Sequence, residues 1–516
     1  MAFHYVGGDR DQLFLLATSM RDWLDEGHLA WFVIDVVAKV DTGVFHARHR
    51  NDGPGRPAYD PDMMLALLFY AYGTGMRSSR RIEAACRTDA AFRVICGNAT
   101  PDHTTIARFL VNHETAIEAV FIDVLRLCAA AGLVSVGMIA IDGTKIGADA
   151  ALDANRGARW IRAEVEAILA EAVTTDAAED AQHGLFGGDG LPVELATRKG
   201  RLARLEAALS RIEAEDAAAL AATDDRAAKA REAAVEGRKL RGRKPKDPHA
   251  ALARAEADEA AARVRAEREA ARRAERDIAA GRDEPSEATA DADPGVQRAV
   301  AATAAARAAA DAAPPAPTLA NVTDADSRIM KTASGWVQGY NAQAAVNENQ
   351  IVVGHAVTQD ANDVGQYQPM VTATRAALDA IGIAEPIGVV LADAGYWSED
   401  NATTPGPDRL IATLKDYKQR RAARELGTTT GPPPDGACVL DAMEHRLRTP
   451  DGAAAYAKRS HTVEPVFGDH KENRGFRRFR RRGLAAVRSE WALINLSHNL
   501  AKLFAHQTNS TPLAVT

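Results

Sequence analysis

Two aspartates adjoin short apolar runs that are typical of buried strands. Asp142 follows Met138–Ile141, and Asp393 directly follows Val389–Ala392. A charge in such a place is costly unless it is paired or bound to a metal ion. Cleavage of a phosphodiester by two metal ions requires acidic ligands that converge on cations about 3.5–4 Å apart. Taken alone, however, either aspartate is better explained as a solvated strand end or a helix cap.

A third acidic residue, Glu464, immediately precedes Pro465. Proline is tolerated in the first turn of a helix, so the sequence predicts that Glu464 lies near a helix start. Lys471 would then lie two turns further on the same face, where an acid could bind a metal ion and a base could hold the adjacent phosphate. By spacing alone, the pair is more typical of an ordinary helix, whose dipole favours Glu near its N-terminus.

The segment after Glu464 concentrates positive charge. Guanidinium groups make forked contacts with phosphates, and clustered arginines repel one another unless a polyanion neutralises them. The whole chain has a net charge of −7, so this positive charge is local. A solvated basic turn is the alternative. The basic residues are Lys471, Arg474, Arg477, Arg478, Arg480, Arg481, Arg482 and Arg488.

The front of the chain, residues 1–132, has the pattern of a compact helical domain. Apolar residues recur at spacings of three and four in Met63–Tyr72 and Ile117–Ala131. Pro101–Ile106 predicts a helix start with an Asp or Thr cap. Such an end can meet a phosphate, or can simply cap one more helix of a bundle.

Strand patterns begin in residues 133–150 and resume in residues 326–508. The later part contains a predicted hairpin, a helix and two more strands, which together predict an α/β domain. These elements are the hairpin strands Val337–Val346 and Ile351–Val357, the helix Tyr367–Ile381, and the strands Ile387–Ala392 and Leu410–Thr413.

Residues 151–325 are of another kind, rich in Ala, Arg and Glu. Leu202, Leu205, Leu209 and Ile212 follow an a/d spacing, which predicts an inserted helical hairpin or coiled coil. Proline-containing stretches predict disordered linkers within this insertion, and residues 509–516 are expected to be a disordered tail.

The bulk composition is that of ordinary globular protein, with 46% hydrophobic and 26% charged residues. No signal-like start or long apolar run is present, so we expect a cytoplasmic protein without a membrane partner. The cysteines, Cys86, Cys96, Cys128 and Cys438, show no zinc-ligand spacing and are expected to be buried thiols.

In combination, these segments resemble the insertion-sequence transposases of the DDE type. The resemblance covers GRPAYDP, SSRRIEAAC and PDHTTIARF in the helical front, IDGTKI around Asp142, GYNAQAAV, LADAGYWSE around Asp393, and the terminal block RSHTVEPVFGDHKENRGFRRFRRRG. It implies an RNase H-like mixed sheet flanked by helices, an N-terminal all-α DNA-binding domain, and the Ala-rich insertion placed unusually, after the first strand.

The resemblance also implies roles for individual residues. Asp142, Asp393 and Glu464 would be the catalytic triad that holds two Mg²⁺ ions, for which Mn²⁺ can substitute. The Tyr-Arg-Glu-Lys signature of the family falls on Tyr456, Arg459, Glu464 and Lys471, although four residues separate Arg459 from Glu464 where the common pattern has three. The expected DNA contacts are Tyr456, Arg459, Lys471, Arg474, Arg477, Arg478 and Arg481.

The implied activity is metal-dependent DNA cleavage and strand transfer at the ends of an insertion sequence. Its partners would be double-stranded DNA, as element ends and as target, and further copies of the chain in a homodimer or higher multimer on the bacterial nucleoid. Two alternatives remain, a nuclease without strand transfer and a non-catalytic DNA-binding derivative. The presence of all the candidate acids counts against the second.

Overall fold

The computed structural model describes residues 19–47, 58–179, 197–236, 247–279, 290–312, 318–332, 334–414, 421 and 425–510. The chain divides into two compact units, Met1–Ala154 with Asp326–Thr516, and Asn155–Ala325. Most of the predicted linkers, and residues 511–516 of the predicted tail, lie outside the described residues. No described helix is long and apolar enough to cross a membrane.

The N-terminal region is helical, as predicted. Asp102 caps one helix by accepting the backbone N–H groups of Thr104 and Thr105, each at 3.0 Å, which confirms the predicted helix start. Another helix begins with Asp60 as its cap and Pro61 in its first turn. The helices are α1 Leu29–Val37, α2 Gly43–His46, α3 Pro61–Gly73, α4 Ser79–Thr88, α5 Ala90–Ile95, α6 His103–Asn112 and α7 Glu114–Ala130.

A mixed sheet follows, again as predicted. Strand β1 lies at its centre, antiparallel to β5 on one side and parallel to β7 on the other, and β8 extends the sheet parallel to β7. Strands β4 and β6 pair with successive stretches of β5. The strands of this sheet are β1 Met138–Gly147, β4 Arg328–Thr332, β5 Gly335–Asn347, β6 Val352–Thr358, β7 Val389–Ala392 and β8 Asp408–Ile411.

Helices of the second half of the chain complete this unit. The last of them packs against β6, α7 and α3, so the sheet and the N-terminal helices share one hydrophobic core. Its buried Trp491 also donates a hydrogen bond to the backbone oxygen of Gln343 in β5, at 2.9 Å. The helices are α12 Tyr367–Ala380, α13 Glu399–Thr403, α14 Val439–Arg448, α15 Pro450–Ala457, α16 Arg459–Gly468 and α17 Leu484–Ser510.

The second unit is the Ala-rich insertion. Its predicted a/d residues Leu205 and Ile212 are buried, with Ile161 and Ile168 in the same cluster and Leu202 and Leu209 against it. The ends of the insertion meet in a short antiparallel ladder of β2 with β3. The elements are β2 Asn155–Gly157, α8 Ala158–Glu179, α9 Arg198–Val235, α10 Pro248–Ala279, α11 Pro294–Ala312 and β3 Leu319–Asn321.

A buried carboxylate, that of Glu490 in α17, organises the basic loop before this helix. It accepts the backbone N–H groups of Arg480 and Arg481 at 2.9 and 3.0 Å and pairs with the Arg77 guanidinium at 3.3 Å. Arg77 also donates to the backbone oxygen of Gly475 at 3.0 Å and lies over the Phe476 ring. The segment between α3 and α4 is thereby joined to the basic loop through one charge pair.

We expect Glu490→Gln to lower the free energy of unfolding by about 3 kcal/mol, because it leaves the buried Arg77 guanidinium without its counter-charge. Urea unfolding of the full chain, followed by tryptophan fluorescence, measures this. Glu472→Gln is the matched control, since the Glu472–Arg477 pair is mostly exposed, with side-chain exposures of 65% and 62%. The control should cost less than about 1 kcal/mol. Equal, small losses in both variants would contradict the role given to Glu490.

Candidate active site

The parallel pairing of β1 with β7 places the two predicted aspartates side by side. Ile141 pairs with Ala392, so Asp142 and Asp393 are the next residues along the two strands. Neighbouring strands are about 4.8 Å apart. Asp393 also accepts the backbone N–H of Gly395 at 2.8 Å and thereby caps the turn Ala394–Tyr396. Asp393 therefore caps a turn and also lies beside Asp142, so the two explanations offered for it by the sequence do not exclude each other.

Arg459, the first residue of α16, links two members of the predicted triad. Its guanidinium donates to Asp142 Oδ2 at 2.8 Å and to Glu464 Oε1 at 3.4 Å. The Arg459 side chain is only 5% exposed, whereas Glu464 is 51% exposed. A buried cation thus holds the Asp142 carboxylate from one side, and Glu464 reaches the same cation from the surface.

The electrostatics of Asp142 follow from its burial. Burial raises the pKa of Asp142 to about 7, because desolvation outweighs the attraction of the Arg459 guanidinium, and the negative charges of Asp393 and Asp363 add to the effect. The hydrogen bond from the Gly143 backbone N–H, at 2.8 Å, acts in the opposite direction. Additional positive charge at this end of the sheet would therefore favour the carboxylate form.

The helix that carries Glu464 differs from the prediction. Pro465 is inside α16 rather than in its first turn, so the expectation that Glu464 lies near the helix start was wrong. Proline lacks the N–H that would bond to the oxygen of His461, and Gln350 supplies a donor instead, at 2.8 Å. This substitute hydrogen bond satisfies the carbonyl that the proline leaves without its helical donor, and sequence spacing could not reveal it.

Lys471 lies in a π-helical turn, Asp469–Asn473, after α16. Its amino group donates to the Thr144 hydroxyl on β1, and burial lowers its pKa. Together with Lys145 and Arg477 it lines an open groove of about 470 Å³ along β1, to which Thr332 and Ser334 contribute hydroxyl groups. The groove is therefore positively charged and lies beside Asp142.

The arginines among the other predicted DNA contacts fall into two groups. Arg474 and Arg481 are largely buried and form ion pairs within the unit, with Asp469 at 2.8 Å and with Glu114. Arg477 and Arg478 are exposed. Tyr456, on α15, packs partly buried against the hydrophobic core. The prediction that all of these residues touch DNA stays a prediction.

Asp363, which the sequence analysis missed, is a further carboxylate near this site. It lies between β6 and α12 and receives hydrogen bonds from Asn341 and Gln343 of β5, at 2.7 and 2.8 Å, and from Lys145, at 3.2 Å. Two polar residues at alternate positions of a buried strand are the signal that could have revealed it, because buried amides require partners.

Two groups of side chains among the described residues are close enough together to hold a metal ion. Three side chains with all their ligand atoms within 4.8 Å of one another occur as Asp469, His470 and His498, and as His46, Asp60 and Asp62. The first group already contains the Asp469–Arg474 ion pair. The oxygens of Asp142, Asp393 and Glu464 do not form such a group, and the Arg459 guanidinium contacts two of these carboxylates.

Comparison with known families is consistent with this geometry. Residues 18–112 match the model of a transposase domain (DUF772), and residues 435–504 match that of a transposase DDE domain. A DDE domain of this kind implies a family of DNA-cleaving enzymes. The two matches support the assignment of the chain to the DDE-type insertion-sequence transposases. No curated protein and no solved structure matches the chain. Glu464 and Lys471 lie in the second matched segment, whereas Asp142 and Asp393 lie outside both.

The raised pKa of Asp142 makes stability depend on pH. The folded-state pKa, about 7, exceeds the ordinary value, so the unfolded chain loses this proton at lower pH than the folded chain does. Stability should therefore fall as pH rises from about 4 to about 7 and then level off, with a slope of roughly 1 kcal/mol per pH unit. Asp142→Asn removes this contribution.

Urea unfolding of both proteins in EDTA, between pH 5 and pH 8, tests this expectation. The difference in unfolding free energy should shift in favour of Asp142→Asn as pH rises towards 7. Parallel profiles would show that Asp142 titrates normally in the folded protein.

Proposed function

We propose that this transposase cleaves DNA at the ends of its insertion sequence and joins the freed 3′ ends to target DNA, with Asp142, Asp393 and Glu464 as the metal-binding triad. The observation that carries this proposal is the register of β1 and β7, which sets the two aspartates side by side. The contact of Arg459 with both Asp142 and Glu464 brings the third acid to the same end of the sheet.

An RNase H-like core is part of the proposal. In such a core the first Asp lies on the central strand, the second follows the fourth strand, and the Glu is on a late helix. Here β1 is central and α16 comes late. Within this sheet β7 is the fourth strand in chain order if β4 and β6, which pair with successive stretches of β5, are counted as one. We assign residues 133–150 and 326–508 to this core, residues 1–132 to DNA binding, and residues 151–325 to an insertion.

The donor set suits Mg²⁺, with Mn²⁺ as a substitute, because all the candidate ligands are carboxylate oxygens. Bound there, a pair of such ions would activate the attacking hydroxyl and stabilise the leaving oxygen. Arg459 has to release Asp142 before that carboxylate can bind a cation directly. Since Glu464 is half exposed, its side chain can turn towards Asp142 once the guanidinium has moved.

Double-stranded DNA would be gripped by the groove beside Asp142 and by the exposed arginines after α16. Lys471 lines that groove, and Arg477 and Arg478 extend the positive surface. Two element ends must be joined in one reaction, so we propose that a homodimer or larger assembly forms on DNA at the nucleoid. A nuclease with the same residues is the alternative function, and only the products distinguish it.

Asp142→Asn, Asp393→Asn and Glu464→Gln should each reduce cleavage of element ends by at least about a thousandfold, because metal ligation contributes several kcal/mol to the barrier. Binding to the same DNA should change little. The measurement is cleavage of labelled end DNA in Mg²⁺, with binding followed by gel shift. Glu472→Gln, an exposed carboxylate beyond α16, is the control and should cleave normally.

Undiminished cleavage by any one of the triad variants would remove that residue from the metal site. Joined products with a target plasmid would establish strand transfer. Cut ends without joined products, under conditions where both DNA partners are bound, would favour the nuclease.

The division of the arginines into exposed and internally ion-paired residues predicts that their variants differ in the salt dependence of DNA binding. Arg478→Gln and Arg477→Gln should each lower the slope of log affinity against log salt by about 1, because each removes one phosphate contact. Arg474→Gln and Arg481→Gln should leave the slope unchanged and instead lower the melting temperature, since both side chains form internal ion pairs. Fluorescence anisotropy at several salt concentrations measures the slopes, and a reduced slope for Arg474→Gln would place that residue on DNA.

A further inference from the structure

Asp363 receives more hydrogen bonds than an ion pair with Lys145 alone would require. One of its oxygens, Oδ1, receives hydrogen bonds from Asn341, Gln343 and Lys145 together. So many donors on one oxygen fix the position of this side chain. The strand amides are rigidly placed, since Asn341 and Gln343 are completely buried in β5.

An acceptor atom beside Asp363 has no donor. The side-chain oxygen of Asn341, Oδ1, is buried and makes no hydrogen bond among the described residues. A buried acceptor normally finds a partner, so an orphan of this kind points to a cation or a water molecule that the protein atoms do not supply. Amide and carboxylate oxygens together are ligands that Mg²⁺ and Mn²⁺ accept.

The same spot needs a residue without a side chain on β1. A Cβ atom at Gly143 would lie 2.5 Å from Asp363 Oδ1, 2.2 Å from Gln343 Nε2 and 3.0 Å from Asn341 Oδ1. These polar atoms therefore converge on the backbone of the residue that directly follows Asp142. Any side chain there would fill the space that they share.

Asp363 also approaches the second aspartate of the triad. A Cβ atom at Gly395 would lie 2.9 Å from Asp393 Oδ1 and 3.3 Å from Asp363 Oδ2, so these two oxygens are no more than about 6 Å apart. Two oxygens bound to one Mg²⁺ at about 2.1 Å each are at most about 4 Å apart, so a movement of no more than about 2 Å brings both carboxylates to a shared cation. Asp363 is thus within reach of a metal centre that includes Asp393.

The pleat of β1 explains why this carboxylate complements the triad. Successive side chains of a strand point to opposite faces, so Asp142 projects from one face, where Arg459 meets it, and Gly143 opens towards the other, where Asp363 lies. Asp393 lies one residue beyond the end of β7, so the alternation of that strand does not assign its side chain to one face of the sheet. It can therefore share a cation with a group on either side.

We propose that Asp363 is a fourth carboxylate of the metal centre, which binds a divalent cation together with Asp393 and is oriented by Asn341 and Gln343. This inference rests on the proposed function, because it assumes that Asp142 and Asp393 bind metal. In this arrangement Lys145 balances the charge of Asp363 and moves aside when the cation binds.

Two measurements on the full chain without DNA test the assignment. The first is Mn²⁺ binding followed by the electron paramagnetic resonance of the free ion. Asp363→Asn should weaken one class of Mn²⁺ site by at least about tenfold, whereas Asp360→Asn should bind as the unchanged protein does. Asp360 is the matched control because it belongs to the same loop, is exposed and accepts a hydrogen bond from Gln366 instead.

The second measurement reports direct ligation and does not depend on affinity. In Asp363→Cys, addition of Cd²⁺ should produce the ultraviolet thiolate-to-cadmium charge-transfer band, because soft thiolates bind this ion directly. Asp360→Cys should show no more than the background of the native cysteines. This arm decides the question if Asp363→Asn does not fold.

The outcomes separate the two proposals. Mn²⁺ binding by the unchanged protein that is lost in Asp142→Asn but kept in Asp363→Asn, with no new band in Asp363→Cys, overturns the role of Asp363 and leaves the triad standing. Absence of Mn²⁺ binding by the unchanged protein overturns the metal-dependent function itself.

Discussion

The concentration of negative charge at one end of the central sheet is the constraint on which the rest of the site depends. Strand register places Asp142 and Asp393 there, and hydrogen bonds from β5 hold Asp363 of the loop before α12 beside them. The protein offsets their repulsion with Arg459 on one side and Lys145 on the other. Each of these side-chain cations contacts a carboxylate that the proposed metal ions would also have to bind, so binding of metal at this site would be coupled to release of Arg459 and Lys145.

The sequence could predict the parts of this arrangement that depend on local pattern. Apolar runs identified the strands on both sides of the insertion, and the same runs singled out Asp142 and Asp393, which the structure places on adjoining strands. Asp363 could not be found in this way, because its meaning comes from amides on another strand. The prediction that Pro465 lies in the first turn of its helix was wrong for the same reason. The side chain that donates to the His461 carbonyl in place of the proline belongs to Gln350, which is remote in sequence.

The Ala-rich insertion separates the first strand from the rest of the sheet by about 180 residues, yet the register of β1 with β5 is continuous from Ile139 to Gly147. Its own ends explain how this is possible. Because β2 and β3 pair antiparallel, the chain enters and leaves the insertion at neighbouring points. Within the sheet, Gly147 of β1 and Arg328 of β4 both pair with Gly339, so the strand ends that the insertion connects are also close together.

The basic segment after α16 shows why a cluster of arginines cannot be interpreted from composition alone. Phe476 and Phe479, which separate its charges, are completely buried, so the backbone between them is anchored in the core. Glu490 accepts the N–H groups of Arg480 and Arg481, and Arg77 donates to the carbonyl groups of Gly475 and Arg478. The conformation of the loop is therefore set by the buried phenylalanines and by contacts with Glu490 and Arg77. Arg477 and Arg478 remain exposed. A rigid loop loses less conformational entropy on meeting a phosphate backbone than a mobile one does, so the internal ion pairs of Arg474 and Arg481 would support the DNA binding that we propose for the exposed arginines.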